Sequence, residues 1–148
     1  VAYDDRFLYV CVVCPEPAPA TLRSAGNARD DSIWLGDSVD LFVTDKPDCV
    51  PYAHVIVAPN GTRWDARFSG DNDLTWDPEW QVRTATTDGQ WIAEMAVPWQ
   101  ELGVIPKSGL RLRANVCRQR LAAREHTTWS QCVGGFTEHE HFGTWILE

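Results

Sequence analysis

Lysine is nearly absent from this 148-residue chain: two Lys stand beside eleven Arg, against 21 acidic residues. The net charge of −8 excludes nucleic acid as the expected partner, because a phosphate backbone calls for a basic face. No run of about 18 apolar residues occurs, so no membrane-spanning helix is expected and no membrane partner. No signal-peptide pattern opens the sequence. Its first residues, Val1-Ala2-Tyr3-Asp4-Asp5, read as the middle of something longer. Metal and nucleophile signatures are equally scarce. The one C-x-x-C, Cys11 to Cys14, has no second pair and no spaced histidines to complete four zinc ligands. G-x-S-x-G does not occur. Helical text is almost missing: only Pro98–Gly103 reads as a helical turn, opened by proline and closed by glycine. No internal repeat or linker divides the chain, and residues 1–148 suit a single domain with its own core.

What remains is strand and turn. Arg6–Cys14 reads as a buried strand, and Pro15–Ala20 as a proline-broken loop. Asp37–Asp45 alternates, with Val39, Leu41 and Val43 on one side and Ser38, Asp40, Phe42 and Thr44 on the other. Tyr52–Ala58 alternates likewise, with Ala53, Val55 and Val57 opposite His54 and Ile56. Asn60-Gly61 then predicts a hairpin into Thr62–Phe68. Ser69–Pro78 reads as an acidic loop. Trp80–Thr87, Asp88-Gly89 and Gln90–Val97 predict a second hairpin. Leu110–Gln119, Thr127–Ser130 and Gly143–Glu148 are the closing strands. The expected class is all-β: a β-sandwich or jelly roll of about eight or nine mainly antiparallel strands with one short helical turn.

Tryptophan is the abundant exception. Eight occur, more than a core of this size needs, and the surplus points to flat surfaces for an outside ligand. Trp34, in the polar stretch Asp30-Asp31-Ser32-Ile33-Trp34-Leu35-Gly36-Asp37, is the foremost candidate. Asp40 and Glu94, both mid-strand, are a carboxylate pair of the kind glycoside hydrolysis uses, although 21 acids supply such a pair by chance. Glu94 with Arg118 reads better as a buried structural ion pair. Asp71-Asn72-Asp73 with Asp77, and Asp30-Asp31, are the calcium candidates, with solvated loop acids the plainer reading. His139 and His141 alternate in a strand-like H-E-H and could share a metal. Cys117 and Cys132 are a candidate pairing across a hairpin-like connection. Met95 alternates with core residues.

Taken in order, the segments Asp4–Val10, Trp34–Val43, Asp88–Trp99, Ala114–Arg118, Thr128–Ser130 and Phe142–Leu147 resemble the carbohydrate-binding modules of family 9 and their relatives. The resemblance spans essentially the whole chain. It implies a non-catalytic β-sandwich that binds a polysaccharide or oligosaccharide between two aromatic walls. Such modules are usually attached to a catalytic domain in a secreted, extracellular or cell-surface enzyme. It carries over Trp34 as one wall, Asp40 as the acid that bonds sugar hydroxyls, and Phe136 as the second wall. His54 and Trp129 are further contributors. No cofactor is required, and structural calcium is found in some members. The departures are a phenylalanine for the second wall, Asp40 where glutamate is usual, and Ile56 and Ala58 where binders carry polar contacts. A haem-binding electron-transfer domain of related fold, with Met95 and a histidine as axial ligands, is one alternative. A protein-interaction domain without a sugar ligand is the other.

Overall fold

A computed structural model describes residues 1–148 as two antiparallel sheets packed face to face. The smaller sheet has four strands in the order β1 (Ala2–Tyr3), β2 (Phe7–Pro15), β8 (Gln90–Pro98), β7 (Gln81–Thr87). The larger runs β10 (Glu125–Thr128), β9 (Arg111–Arg120), β3 (Ser38–Thr44), β4 (Tyr52–Val57), β5 (Arg63–Phe68), β6 (Asn72–Asp73). Its seventh strand, β11 (Gly143–Ile146), pairs β9 beyond the end of β10. The one helix, α1 (Trp99–Leu102), lies between Pro98 and Gly103, as the sequence predicts.

Alternation decides which side chains meet. Leu8, Val10 and Cys14 of β2 and Trp91, Ala93, Met95 and Val97 of β8 face inward. They meet Val39, Leu41 and Val43 of β3, Ala53, Val55 and Val57 of β4, and Leu112 and Ala114 of β9. Both predicted hairpins form. Gly61 sits at φ 83°, which a residue without Cβ adopts freely, and Ala58 N–H donates to Thr62 O across the turn. Cys11 is exposed while Cys14 is buried, because strand positions three apart face opposite ways. All five cysteines are free thiols, so the pairing expected of Cys117 and Cys132 is not formed.

Several expectations are corrected. The acidic stretch 69–78 contains β6, which pairs Asp73 with Arg67 and Asn72 with Phe68. His139–His141 is a 3-10 turn and not a strand, closed by Phe142 N–H donating to His139 O, which swings Phe142 into a buried position. Four tryptophans are buried (Trp64, Trp80, Trp91 and Trp99), and Trp76 and Trp145 pack partly against the core. Most of the apparent surplus is therefore structural.

The Glu94–Arg118 pair does not exist. Glu94 is exposed on the small sheet, opposite Cys11 and Arg83. Arg118 instead pairs with Glu16, a residue hidden in the proline-broken loop. Glu16 is 1 % exposed and accepts from Arg118 Nη2 at 2.9 Å and from Arg120 Nε and Nη2 at 2.8 and 2.9 Å. A buried carboxylate is tolerable only with such partners, and here they tie the end of β2 to β9 in the other sheet. The hydrogen bonds from Arg120 come first in holding the Glu16 carboxyl below the usual glutamate range. A depressed pKa contributes stability above the unfolded-state value, and that stability is lost as pH falls through the folded value. Glu16→Gln is therefore expected to lower unfolding free energy at pH 7 by roughly 1.5–3 kcal/mol. The deficit should shrink towards zero in strong acid, as urea titrations of both proteins across pH would register.

Candidate functional site

The outer face of the large sheet, turned away from the small sheet, carries most of the candidate residues. Strand alternation puts Ser38, Asp40, Phe42 and Thr44 of β3 on that face, beside Tyr52, His54 and Ile56 of β4 and Trp64, Ala66 and Phe68 of β5. These are not solvated side chains. All seven β3 residues and all six β4 residues are buried, because an aromatic layer covers the outer face. His54 stacks on Phe42 at 4.0 Å between centroids and meets Trp64 edge-on at 5.1 Å. Phe42 continues to Phe142 at 5.3 Å, and Tyr52 stacks on Phe68 at 4.8 Å. Burial pushes the Tyr52 hydroxyl up to about 12, so it stays protonated at neutral pH.

Asp40 is buried within this layer and therefore needs a donor. His54 Nε2 donates to its Oδ2 across 2.9 Å, and Ser38 Oγ donates to Oδ1 at 3.3 Å. Asp40 is 5 % exposed and His54 8 %, so only the rim of the pair reaches solvent.

Trp34 lies at the open end of the layer. It is in a 3-10 turn, Ile33–Leu35, and packs edge-on against Trp64 at 5.6 Å with 43 % of its surface exposed. Two groups from β9 and the loop after it hold this turn. Gln119 Nε2 donates to Trp34 O at 2.7 Å and to Gly36 O at 2.6 Å. Buried Asp37 accepts from the backbone N–H groups of Arg23 and Leu121. Gln119 was not foreseen from sequence, since nothing local links it to a turn 85 residues away.

Gln119 also lines a pocket of about 420 Å³ with His126, Thr128, Cys132 and Phe136. Phe136 packs on the Phe42–Cys117–Phe142 cluster and meets His126 at 5.4 Å. The fold thus brings Trp34, Asp40, His54 and Phe136 to one face of one sheet, with Gln119 between the turn of Trp34 and the loop of Phe136. Burial and the charge of Glu138 raise the Cys132 thiol above its ordinary value.

Trp129 does not join them. Its N–H donates to Val116 O, and alternation from Thr128, opposite Cys117, turns its ring to the other face of the sheet. Glu94 is excluded from any pairing with Asp40, because the two point outward from opposite sheets. Sheets pack about 10 Å apart, so these carboxylates lie beyond the range of about 5–9.5 Å that glycoside hydrolysis requires. Met95 packs in the core cluster between the sheets, which holds no histidine, and His54 lies on the outer face of the large sheet, so the two do not meet as an axial pair.

The calcium candidates do not converge either. Asp31 accepts from the Asn27 and Ala28 N–H groups, which hold its carboxyl below the usual range. Asp73 is engaged by Thr75, Asp77 by Arg29, and Asp30 and Asp71 lie exposed. No three His, Cys, Asp or Glu side chains come together in a metal-binding group, His139 and His141 included.

No family profile and no curated protein sequence matches the chain. Solved structures do. A family 9 carbohydrate-binding module from Caldicellulosiruptor kristjanssonii, in complex with cellotriose, superposes with TM-score 0.73 at 19 % identity, over 99 % of this chain and 71 % of that one. The same kind of module from that organism in complex with glucose gives TM-score 0.73 at 18 % identity, over 99 % and 73 %. A candidate carbohydrate-binding protein from Bacteroides uniformis gives TM-score 0.80 at 14 % identity, over 97 % and 74 %. The chain has a family-9-like fold. Within this fold, Trp34 and Asp40 lie on one sheet face although five residues lie between them, because the 3-10 turn leads through Gly36 and Asp37 into β3.

His54→Leu should leave Asp40 buried with Ser38 as its remaining donor. A loss of roughly 1–3 kcal/mol in unfolding free energy is expected. The double variant with Asp40→Leu should recover part of that loss, a coupling that a double-mutant cycle measures directly.

Proposed function

We propose that this protein is a non-catalytic carbohydrate-binding module. Trp34 and Phe136 act as its stacking walls, and the rim of the Asp40–His54 pair bonds sugar hydroxyls between them. The observation that carries the reading is an exposed indole on a turn pinned by Gln119, at the edge of a buried carboxylate–imidazole pair. A fixed indole face suits the C–H face of a pyranose at little entropic cost. The solved structures of like fold that hold cellotriose and glucose support a sugar as the ligand. The outward, opposed positions of Asp40 and Glu94 support binding without catalysis. In this reading the module works outside the cell, attached to a polysaccharide-active catalytic domain that it holds against its substrate. The shallow site should bind at micromolar strength or weaker, about −8 kcal/mol or less in magnitude.

Titration of intrinsic tryptophan fluorescence with cello-, xylo-, manno- and uronate-containing oligosaccharides tests this. One class should give a saturable shift. Each stacked ring is expected to contribute about 1–3 kcal/mol, on the scale of bases stacked on aromatic side chains. Trp34→Ala should therefore weaken binding about 5- to 150-fold while the fold survives. Phe136→Ala should weaken it less, having the smaller face. Unchanged affinity in both variants would remove the assignment.

A further inference from the structure

The displacement of Trp129 from the Trp34 face leaves a second aromatic surface to account for. Trp129 is 55 % exposed, more than any other tryptophan that still presents its ring to solvent. It is also held rigidly. Its N–H donates to Val116 O at 2.8 Å, and its ring rests on Trp145 at 5.8 Å. Residue 143 passes directly beneath it, where a Cβ would overlap the indole, so only glycine lets the backbone approach so closely.

Alternation sets Glu125, Thr127 and Trp129 in one row along the edge of the large sheet. A groove of about 460 Å³ separates that row from the end of β2, Val12 to Pro15. Arg118 and Arg120 form the floor, fixed by Glu16. Glu125 lies 3.4 Å from Arg120 at the far end and is half exposed. From Trp129 to Glu125 the row spans four residues, about 13 Å at the rise of a strand.

We infer that this groove is a second saccharide-binding site, separate from the Trp34 face and on the other side of the large sheet. The chemistry is that of an extended sugar chain: an indole for the apolar ring face, then the Thr127 hydroxyl, then a carboxylate beside a guanidinium. Glu125 and Arg120 offer an acceptor and a donor side by side, which matches neighbouring hydroxyls on one ring. The groove suits a disaccharide or longer stretch lying along β10. The inference rests on the sugar-binding reading above and adds bivalence to it. Two sites on opposite faces let one module hold two chains, and retention rises through effective concentration wherever both chains are within reach at once.

The test follows the indole N–H resonances of Trp34 and Trp129 by heteronuclear NMR during titration with cellohexaose, xylohexaose and mannohexaose. In Trp34→Ala the Trp129 resonance should still shift saturably with one of these sugars. Glu125→Gln, at a residue outside the core, should weaken that response at least fivefold while Trp34 responds as before. Retention on the matching insoluble polysaccharide should fall at least tenfold in Trp129→Ala, and Trp129→Phe should restore part of it. A Trp129 resonance unmoved by all three sugars while Trp34 responds would overturn the second site and leave its ring a prop for Trp145. Response of Trp129 alone would support this site and discard the Trp34 assignment. Silence of both indoles would discard the sugar reading and this inference together.

Discussion

The structure depends on one constraint: β3 is buried on both faces. Its inner row of Val39, Leu41 and Val43 belongs to the core between the sheets. Its outer row of Ser38, Asp40, Phe42 and Thr44 must therefore be covered by something other than the small sheet. The cover is the aromatic layer of His54, Trp64, Tyr52, Phe68 and Phe142, closed at one end by the His139–His141 turn and at the other by the turn of Trp34. Burying Asp40 under that cover obliges it to hold His54. The binding surface proposed here is the uncovered end of a second hydrophobic layer, which is why its indole is fixed before any ligand arrives.

The same logic explains the polar groups between the sheets. Glu16 and Asp65 are both buried, and both are met by arginine from a distant part of the chain. Arg29 Nη2 reaches Asp65 at 2.8 Å, while Trp80 Nε1 donates to the same carboxylate at 2.9 Å. Their titrations nevertheless differ in sign. The hydrogen bonds from Arg120 dominate at Glu16 and lower its pKa, whereas desolvation dominates at Asp65 and raises it. Arginine suits both places because its planar fork can serve two acceptor atoms at once. The scarcity of lysine has a structural counterpart here, since Arg29, Arg118 and Arg120 each bond more than one oxygen.

The two exposed indoles, on which both proposed sites rest, are kept apart by the large sheet. Trp34 and Trp129 stand on opposite sides of the large sheet, and β9 lies between them, sending Gln119 to one and presenting Val116 O to the other. A change in β9 therefore reaches both surfaces through the backbone. The face of β8 that carries Glu94 takes no part in either.

Read without its structure, the sequence determined the long strands, both hairpins, the helical turn and the inner rows of β3 and β4, but not the two-residue strands β1 and β6 or the start of β10. Period-two alternation and turn dipeptides are local signals, and local signals survive in one dimension. It also marked Trp34 and Asp40, which sit in segments resembling the family, Phe136 by its place before the Phe142-Gly143 step, and His54 as a polar side chain in mid-strand. Only the tertiary structure decided what each residue meets. It gave Arg118 to Glu16 and left Glu94 in solvent, buried four tryptophans that composition had counted as surplus, and turned Trp129 to the opposite face from Asp40. It also recruited Gln119 to a turn 85 residues away. The reason is physical: alternation fixes which side of a strand a residue occupies, but strand order and register fix its neighbours, and those depend on contacts between segments far apart in the chain.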